Sequence, residues 1–304
     1  MKMDPVRAHQ GYLILALGPA QYLDMAANLA ASIKVMDPSR RVCLVHDETA
    51  VLTDEHFALF DDTALLRVDP DYPGFMCKIR VFDVSPYLET MLVDADCLMV
   101  KNDIDVYWDR ARTRFFSITG ERRTGGMWKG ADIQALLKQE GAPYLIQMNS
   151  GVFYFDKSAR ARDFFVSLNE FYKRRMSSLG VGLHRGRPAQ TDEIYIGLFM
   201  GLCGMDAANM ARTDANSWMV STWRGLLMRF LPRLGRAAIY KPRGNPLNPF
   251  AGWDRLSPTF AHFVGLKPAG LYRRLARQFR AQARTQARAR PAADLHAGAA
   301  LAQH

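Results

Sequence analysis

A chain of 304 residues that is 49% hydrophobic can fill a sizeable core, as one large domain or two small ones, and so reads as a folded globular protein. Its four cysteines form no C-x-x-C pair and three sit among apolar neighbours, which argues against a zinc site or a disulfide framework and for a reducing compartment. The net charge of +10 is uneven: residues 1–219 carry 25 Lys and Arg against 28 Asp and Glu, whereas residues 220–304 carry 15 against 2.

The apolar stretch at residues 12–17 is shorter than a signal-peptide core and reads as a first strand. The longest other apolar run, residues 194–205, falls short of the about 20 residues that span a bilayer. No transmembrane helix is expected.

"GYLILAL", "AQYLDMAANLAASIKVMDP" and "RVCLVHDE" read as strand, amphipathic helix and strand, a β-α-β unit. "ALLRVD" reads as a third strand, "CKIRVFDVSPYLE" as a helix and "TMLVDADCLMV" as an almost wholly apolar strand. Continuous apolar strands alternating with helices predict a mostly parallel central sheet flanked by helices, an α/β fold. "FFSITG" follows as another strand, residues 120–130 as a polar loop at an active site, and "MNSGVFYFDKS" as loop then strand. "ARARDFFVSLNEFYKRRM" and "DEIYIGLFMGLCG" read as helices, the second buried, with "GVGLHRGRPAQT" irregular between them. "KPRGNPLNPFAGWD" is too rich in Pro, Gly and Asn for regular structure.

Two acids interrupt the apolar run at residues 91–100. On a strand, side chains two apart share a face, so Asp94 and Asp96 would converge on one point, where burial of two unpaired carboxylates is costly. A hard divalent cation removes that cost; so does a turn cap with a Lys or Arg partner.

Four stretches in order, "LVDADCLMV", "MNSGVFYF", "QTDEIYIGLF" and "HFVGLKP", resemble the motifs of the family 8 glycosyltransferases, which include glycogenin and bacterial lipopolysaccharide transferases. The resemblance spans residues 11–268 and implies a GT-A fold, a UDP-sugar donor held through Mn²⁺, with Mg²⁺ as the second choice, and hexose transfer with retention of configuration to a glycan or lipid-linked acceptor. It further implies Asp94, Asp96 and His262 as metal ligands, Gly265 and Lys267 at the diphosphate, and Tyr22 and Ala16 at the nucleotide. Asp192, Lys78 and Asn149 would form the catalytic and sugar-binding set. Glu193 stands where the family usually has Gln, which leaves open whether Asp192 or Glu193 meets the sugar, and Ala269 replaces a tryptophan expected after Pro268.

Past the resemblance, residues 271–288 place Leu271, Leu275 and Phe279 on one side of a helix and a row of arginines on the other, the pattern of a basic helix lying on anionic lipid. "WRGLLMRFLPRLGR" divides similarly, though Pro232 interrupts it. The expected organisation is a transferase domain at 1–268, a basic amphipathic helix at 269–290 and a disordered tail at 291–304, in a cytoplasmic protein peripheral at the inner membrane face. Nucleic acid is a weak partner, because stacking aromatics are sparse in the tail. The competing functions are a catalytically degenerate nucleotide-sugar binder and a sugar nucleotidyltransferase; the second would normally carry a basic Gly-rich loop after the first strand, and "LALGPAQY" has none.

Overall fold

The apolar run at Gln10–Ala16 forms β1, and in this computed structural model, which describes residues 9–177, 181–184, 187–211, 216–243 and 252–289, it sits at the centre of the larger sheet. After it come α1 (Ala20–Met36), β2 (Arg41–His46), α2 (Asp54–Leu59) and β3 (Asp62–Leu65). A 3-10 stretch at Gly74–Arg80 runs into α3 (Val81–Val84), β4 (Glu89–Val93), β5 (Cys97–Met99), α4 (Asp105–Ala111) and β6 (Phe116–Arg123). The middle of the chain holds β7 (Met127–Trp128), β8 (Ala131–Asp132), α5 (Ile133–Glu140), β9 (Leu145–Asp156) and α6 (Ala159–Arg175). It ends with β10 (Val181–His184), β11 (Arg187–Gln190), α7 (Asp192–Leu202), β12 (Asn216–Ser221), β13 (Leu227–Leu231), β14 (Arg236–Pro242), β15 (Trp253–His262) and α8 (Ala269–Ala289).

The first sheet has the order β3-β2-β1-β4-β9-β6. Its first four strands run parallel, and β9 is antiparallel to both neighbours. Alternation sends Tyr12, Ile14, Val42, Leu44, Met91 and Val93 into one core with α1, α4 and α8. Leu13, Cys43, Val45, Leu92, Phe153 and Phe155 enter a second core under α5, α6 and α7. Both faces are covered, as a mostly parallel sheet requires, and the α/β class expected from the apolar strands is the one observed. A second sheet, β12-β15-β14-β13, is joined by β5, which pairs with β15.

Several local expectations are corrected. "TMLVDADCLMV" is not one strand: β4 ends at Val93, residues 94–96 turn, with the Cys97 N–H donating to the Asp94 carbonyl at 2.9 Å, and β5 leaves for the second sheet. The same-face argument for Asp94 and Asp96 therefore lapses. "CKIRVFDVSPYLE" gives a 3-10 stretch and four helical residues, with Ser85 extended ahead of Pro86. "ALLRVD" pairs earlier, as Asp62–Leu65. Within 120–130, β6 runs on to Arg123 and the β7–β8 ladder encloses Lys129. Asn149 and Ser150 lie inside β9, not in a loop, and within "GVGLHRGRPAQT" Val181–His184 and Arg187–Gln190 form the antiparallel β10–β11 ladder, while residues 180, 185 and 186 lie outside the described residues. Lys241 and Pro242 belong to β14 and Trp253 and Asp254 to β15, while residues 244–251 lie outside the described residues.

The two basic segments also differ. "WRGLLMRFLPRLGR" is a β hairpin: Met228 and Phe230 alternate inward, and Gly235 turns at φ 58°. The helix expected on lipid is α8, but Tyr272, Leu275, Ala276 and Phe279 on its apolar side are buried in the core that α1 lines, so that side is unavailable to a bilayer. The expected tail at 291–304 lies outside the described residues. Among the described residues no helix is long and apolar enough to cross a membrane.

Candidate active site

β4 ends at the carboxyl edge of the parallel strands, where ligands gather in open α/β sheets, and there the chain changes sheets. The Asp94 N–H donates to the Gly151 carbonyl at 2.8 Å, which lays the Asn-Ser-Gly segment of β9 beside the turn. On the other side the Phe263 N–H donates to the Asp96 carbonyl at 2.9 Å and Cys97 pairs with His262. Folding thus brings to one place acids from the first half of the chain and an imidazole from its last strand.

His262 Nε2 lies 3.0 Å from Asp96 Oδ1. Ser221 Oγ stands 3.4 Å from His262 Nδ1, and Thr222 Oγ1 donates to the carbonyls of His262 at 3.1 Å and Lys267 at 2.7 Å. Burial would depress the imidazole pKa, but Asp96 and then Asp94 outweigh it and raise it. Gly151 leaves this corner little room: a Cβ would lie 3.1 Å from the His262 ring and 2.9 Å from Asn149 Oδ1, so both side chains would have to give. The ligand atoms of Asp96, Cys97 and His262 fall within 4.8 Å of one another. Cys97 is a member that sequence reading missed; burial pushes its thiol well above the ordinary range.

Asp94, expected beside Asp96 and His262, is engaged elsewhere. Its carboxylate holds Lys78 Nζ at 2.7 and 2.9 Å, and the same ammonium donates to Ser150 Oγ at 3.1 Å and the Ser150 carbonyl at 3.3 Å. Asp192, at the start of α7, is 3.8 Å from Lys78. Burial would lower the Lys78 pKa, yet Asp94, Asp192 and Glu193 more than offset it and hold the ammonium charged. Burial also raises Asp94, against the pull of Lys78.

Asp192 and Glu193 are neighbours with different surroundings. Glu193 is tied to Lys129 at 2.6 Å and accepts from the Ser150 N–H at 3.3 Å. Asp192 is almost wholly buried, and its Oδ2 has no hydrogen-bond donor among the described residues. Such an atom costs free energy unless a donor comes to it. Asn149 accepts from the Gly151 N–H at 2.9 Å through its Oδ1, so its amide nitrogen points elsewhere.

Two glycines seat α7 so close. A Cβ on Gly197 would be 2.2 Å from the Ile146 carbonyl, and one on Gly201 1.8 Å from that of Tyr144. The signal, two glycines four apart in a buried helix, was present in the sequence.

Ala16 closes β1, and Tyr22, on the first turn of α1, is 38% exposed. Gly265 takes φ 62°, a left-handed conformation natural to glycine, in the turn after His262. Lys267 is exposed and without an ion pair among the described residues. Two open grooves of about 460 and 490 Å³ lie elsewhere, between α8, the end of α1 and the β13–β14 turn.

No family model and no curated protein matches the chain. Among solved structures it is similar to the galactosyltransferase LgtC in complex with donor and acceptor sugar analogs, at 15% identity over 69% of this chain and 75% of that one, TM-score 0.44. Mouse xyloside xylosyltransferase 1 shares 11% identity over 70% and 88% of the two chains, TM-score 0.39, and the glycosyltransferase GlyE of Streptococcus pneumoniae 10% over 57% and 41%, TM-score 0.37.

Proposed function

We propose that this chain is a glycosyltransferase of the family 8 type, which moves a hexose with retention from a UDP-sugar to a glycan or lipid-linked acceptor with the help of a divalent metal. The observation that carries the proposal is Asp192: a buried carboxylate with one oxygen lacking a donor, beside the D-x-D turn and its lysine. Sugar hydroxyls are donors of the kind that oxygen lacks.

Asp96 and His262 would hold a divalent ion, since a carboxylate oxygen and a neutral imidazole suit Mn²⁺ better than Mg²⁺, and Asp94 would join them only by giving up an oxygen it now shares with Lys78. Cys97 is a poor ligand for a hard ion, and its protonated thiol is assigned to packing. Bound there, the metal would supply Lewis-acid stabilisation of the departing diphosphate. Lys267 and the backbone at Gly265 would meet the diphosphate, Tyr22 would cover the base beside Ala16, and the Asn149 amide would donate to the sugar. Lys78 sets its positive charge against Asp94 at 2.7 Å and Asp192 at 3.8 Å and holds the two side chains beside each other.

Titrating UDP calorimetrically into the wild type with Mn²⁺ or EDTA, and into Asp96→Asn, should show affinity that needs both metal and acid. Asp192→Asn should keep UDP affinity but slow UDP release from a UDP-hexose by roughly 10²- to 10³-fold. Equal UDP affinity in all three binding experiments rejects the proposal. Metal-dependent binding with no UDP release by the wild type favours the degenerate binder.

A further inference from the structure

Among the described residues, the β13–β14–β15 end of the second sheet has a face whose larger side chains reach solvent. Leu227 pairs with Tyr240 and Tyr240 with Arg255, Arg229 pairs with Ala238, Leu231 with Arg236, and Pro242 with Trp253. Directly paired residues share a face, so Leu227, Arg229, Arg236, Tyr240, Trp253 and Arg255 lie together while Met228, Phe230 and Ile239 point into the core. At one corner the 3-10 turn Thr222–Arg224 adds Trp223, 72% exposed, followed by Leu226 at 63% and Leu227 at 59%.

The charge on this face has one sign. Residues 216–243 contain no acid, and Asp254, the only acid between 216 and 289, is paired with Arg243. Arg229, Arg236 and Arg255 have no ion pair among the described residues.

Contiguous exposed Trp and Leu mark a surface that meets something. A second copy is disfavoured, since a symmetric pairing would set these arginines against themselves with no acid between. Nucleic acid would engage the arginines and tryptophans but leave Leu226 and Leu227 in water. A bilayer with anionic headgroups engages both kinds: Trp and Leu enter the interface while Arg reaches the phosphates.

We propose that the outer face of the β13–β14–β15 ribbon, with Trp223 and Leu226 at its corner, seats the protein on an anionic membrane surface, in place of α8. Trp223 follows Thr222, whose hydroxyl donates to the carbonyl of His262, so the seat adjoins the candidate active site. That adjacency matches a lipid-linked acceptor only under the transferase function proposed above; the lipid contact does not depend on it.

The test is cosedimentation of the full chain with phosphatidylcholine vesicles with and without phosphatidylglycerol. Three variants are compared at matched circular dichroism: Trp223→Ser/Leu226→Ser/Leu227→Ser, Arg229→Gln/Arg236→Gln, and Arg273→Gln/Arg277→Gln on the exposed side of α8. The wild type should bind only the anionic vesicles, with a blue shift of tryptophan emission; either ribbon variant should lose on the order of tenfold or more in partition, and the α8 variant no more than about twofold. The proposal fails if the wild type ignores anionic vesicles, if the α8 variant loses binding while both ribbon variants keep it, or if a single-stranded oligonucleotide is bound and vesicles are not.

Discussion

Lys78 is where charge is decided in the candidate site. Its ammonium is buried against Asp94 at 2.7 Å, Ser150, and Asp192 at 3.8 Å, and those acids keep its pKa raised despite the burial. A buried ion pair adds little over an apolar substitute, but removing one partner strands the other. Lys78→Met should therefore cost about 3 to 5 kcal/mol in urea unfolding at neutral pH. The double variant Lys78→Met/Asp94→Asn should recover part of that loss, because one stranded carboxylate is then neutral. A single-variant cost under about 1 kcal/mol would mean that water already solvates these acids and that Lys78 does not balance them. The sequence located this lysine only through the resemblance; nothing in its spacing from Asp94 showed that Ser150 and Asp192 close the cage.

At the scale of elements, the acid at the start of α7 is placed by the fit of that helix on β9. Gly197 and Gly201 let helix and strand backbones touch, and Asp192 is thereby carried to Lys78. Gly197→Ala puts a methyl 2.2 Å from the Ile146 carbonyl, so one backbone must shift. Overpacking of this kind costs about 1 to 3 kcal/mol, and Asp192 should move with the helix, so under the function proposed above UDP release should fall further than UDP affinity. Gly270→Ala, where a Cβ meets nothing within 4 Å, is the control and should stay within about 0.5 kcal/mol. Equal melting temperatures for the two variants would show that α7 rides free of β9. The same scale marks how far the sequence could be read. The strands β1, β2 and β4 and the helices α1, α6 and α7 were legible because apolar periodicity is local. The break at residues 94–96 was not, since apolar residues flank it on both sides and only β15, far along the chain, makes β5 part of another sheet. The lower part of the site was hidden for the same reason: Asp96 meets His262 by strand pairing, and the motif order alone implied the meeting.

At the scale of the whole molecule, the D-x-D turn is the crossing between two sheets, and α8 clasps the two together. Its Tyr272, Leu275 and Phe279 share one core with α1 and with Phe230, Ile239 and Phe260 of the second sheet. Arg280 reaches Asp24 at 2.8 Å, Glu55 at 2.7 Å and Asn28 at 2.9 Å, and Arg284 also holds Glu55 at 2.7 Å. Helix and core should therefore unfold as one. Phe279→Ala, at a fully buried position, should cost about 3 to 5 kcal/mol, whereas Arg277→Gln on the exposed side should stay within about 0.5 kcal/mol. The ionic part of the clasp has a pH sign of its own. Arg284 first, and then Arg280, hold the Glu55 carboxyl below its ordinary value against a smaller opposing effect of burial. A carboxyl depressed in the folded state lends stability above its unfolded pKa, about 4.3 for glutamate, and loses it as the pH falls through the folded value. Glu55→Gln should accordingly leave stability less steep below about pH 4.3, with only a small loss at neutral pH because the pair is largely solvated. Urea midpoints measured from pH 7 down to the acid limb check both parts. Two separate transitions in the wild type, or an acid slope unchanged in Glu55→Gln, would show that α8 is an appendage that the rest of the fold does not need.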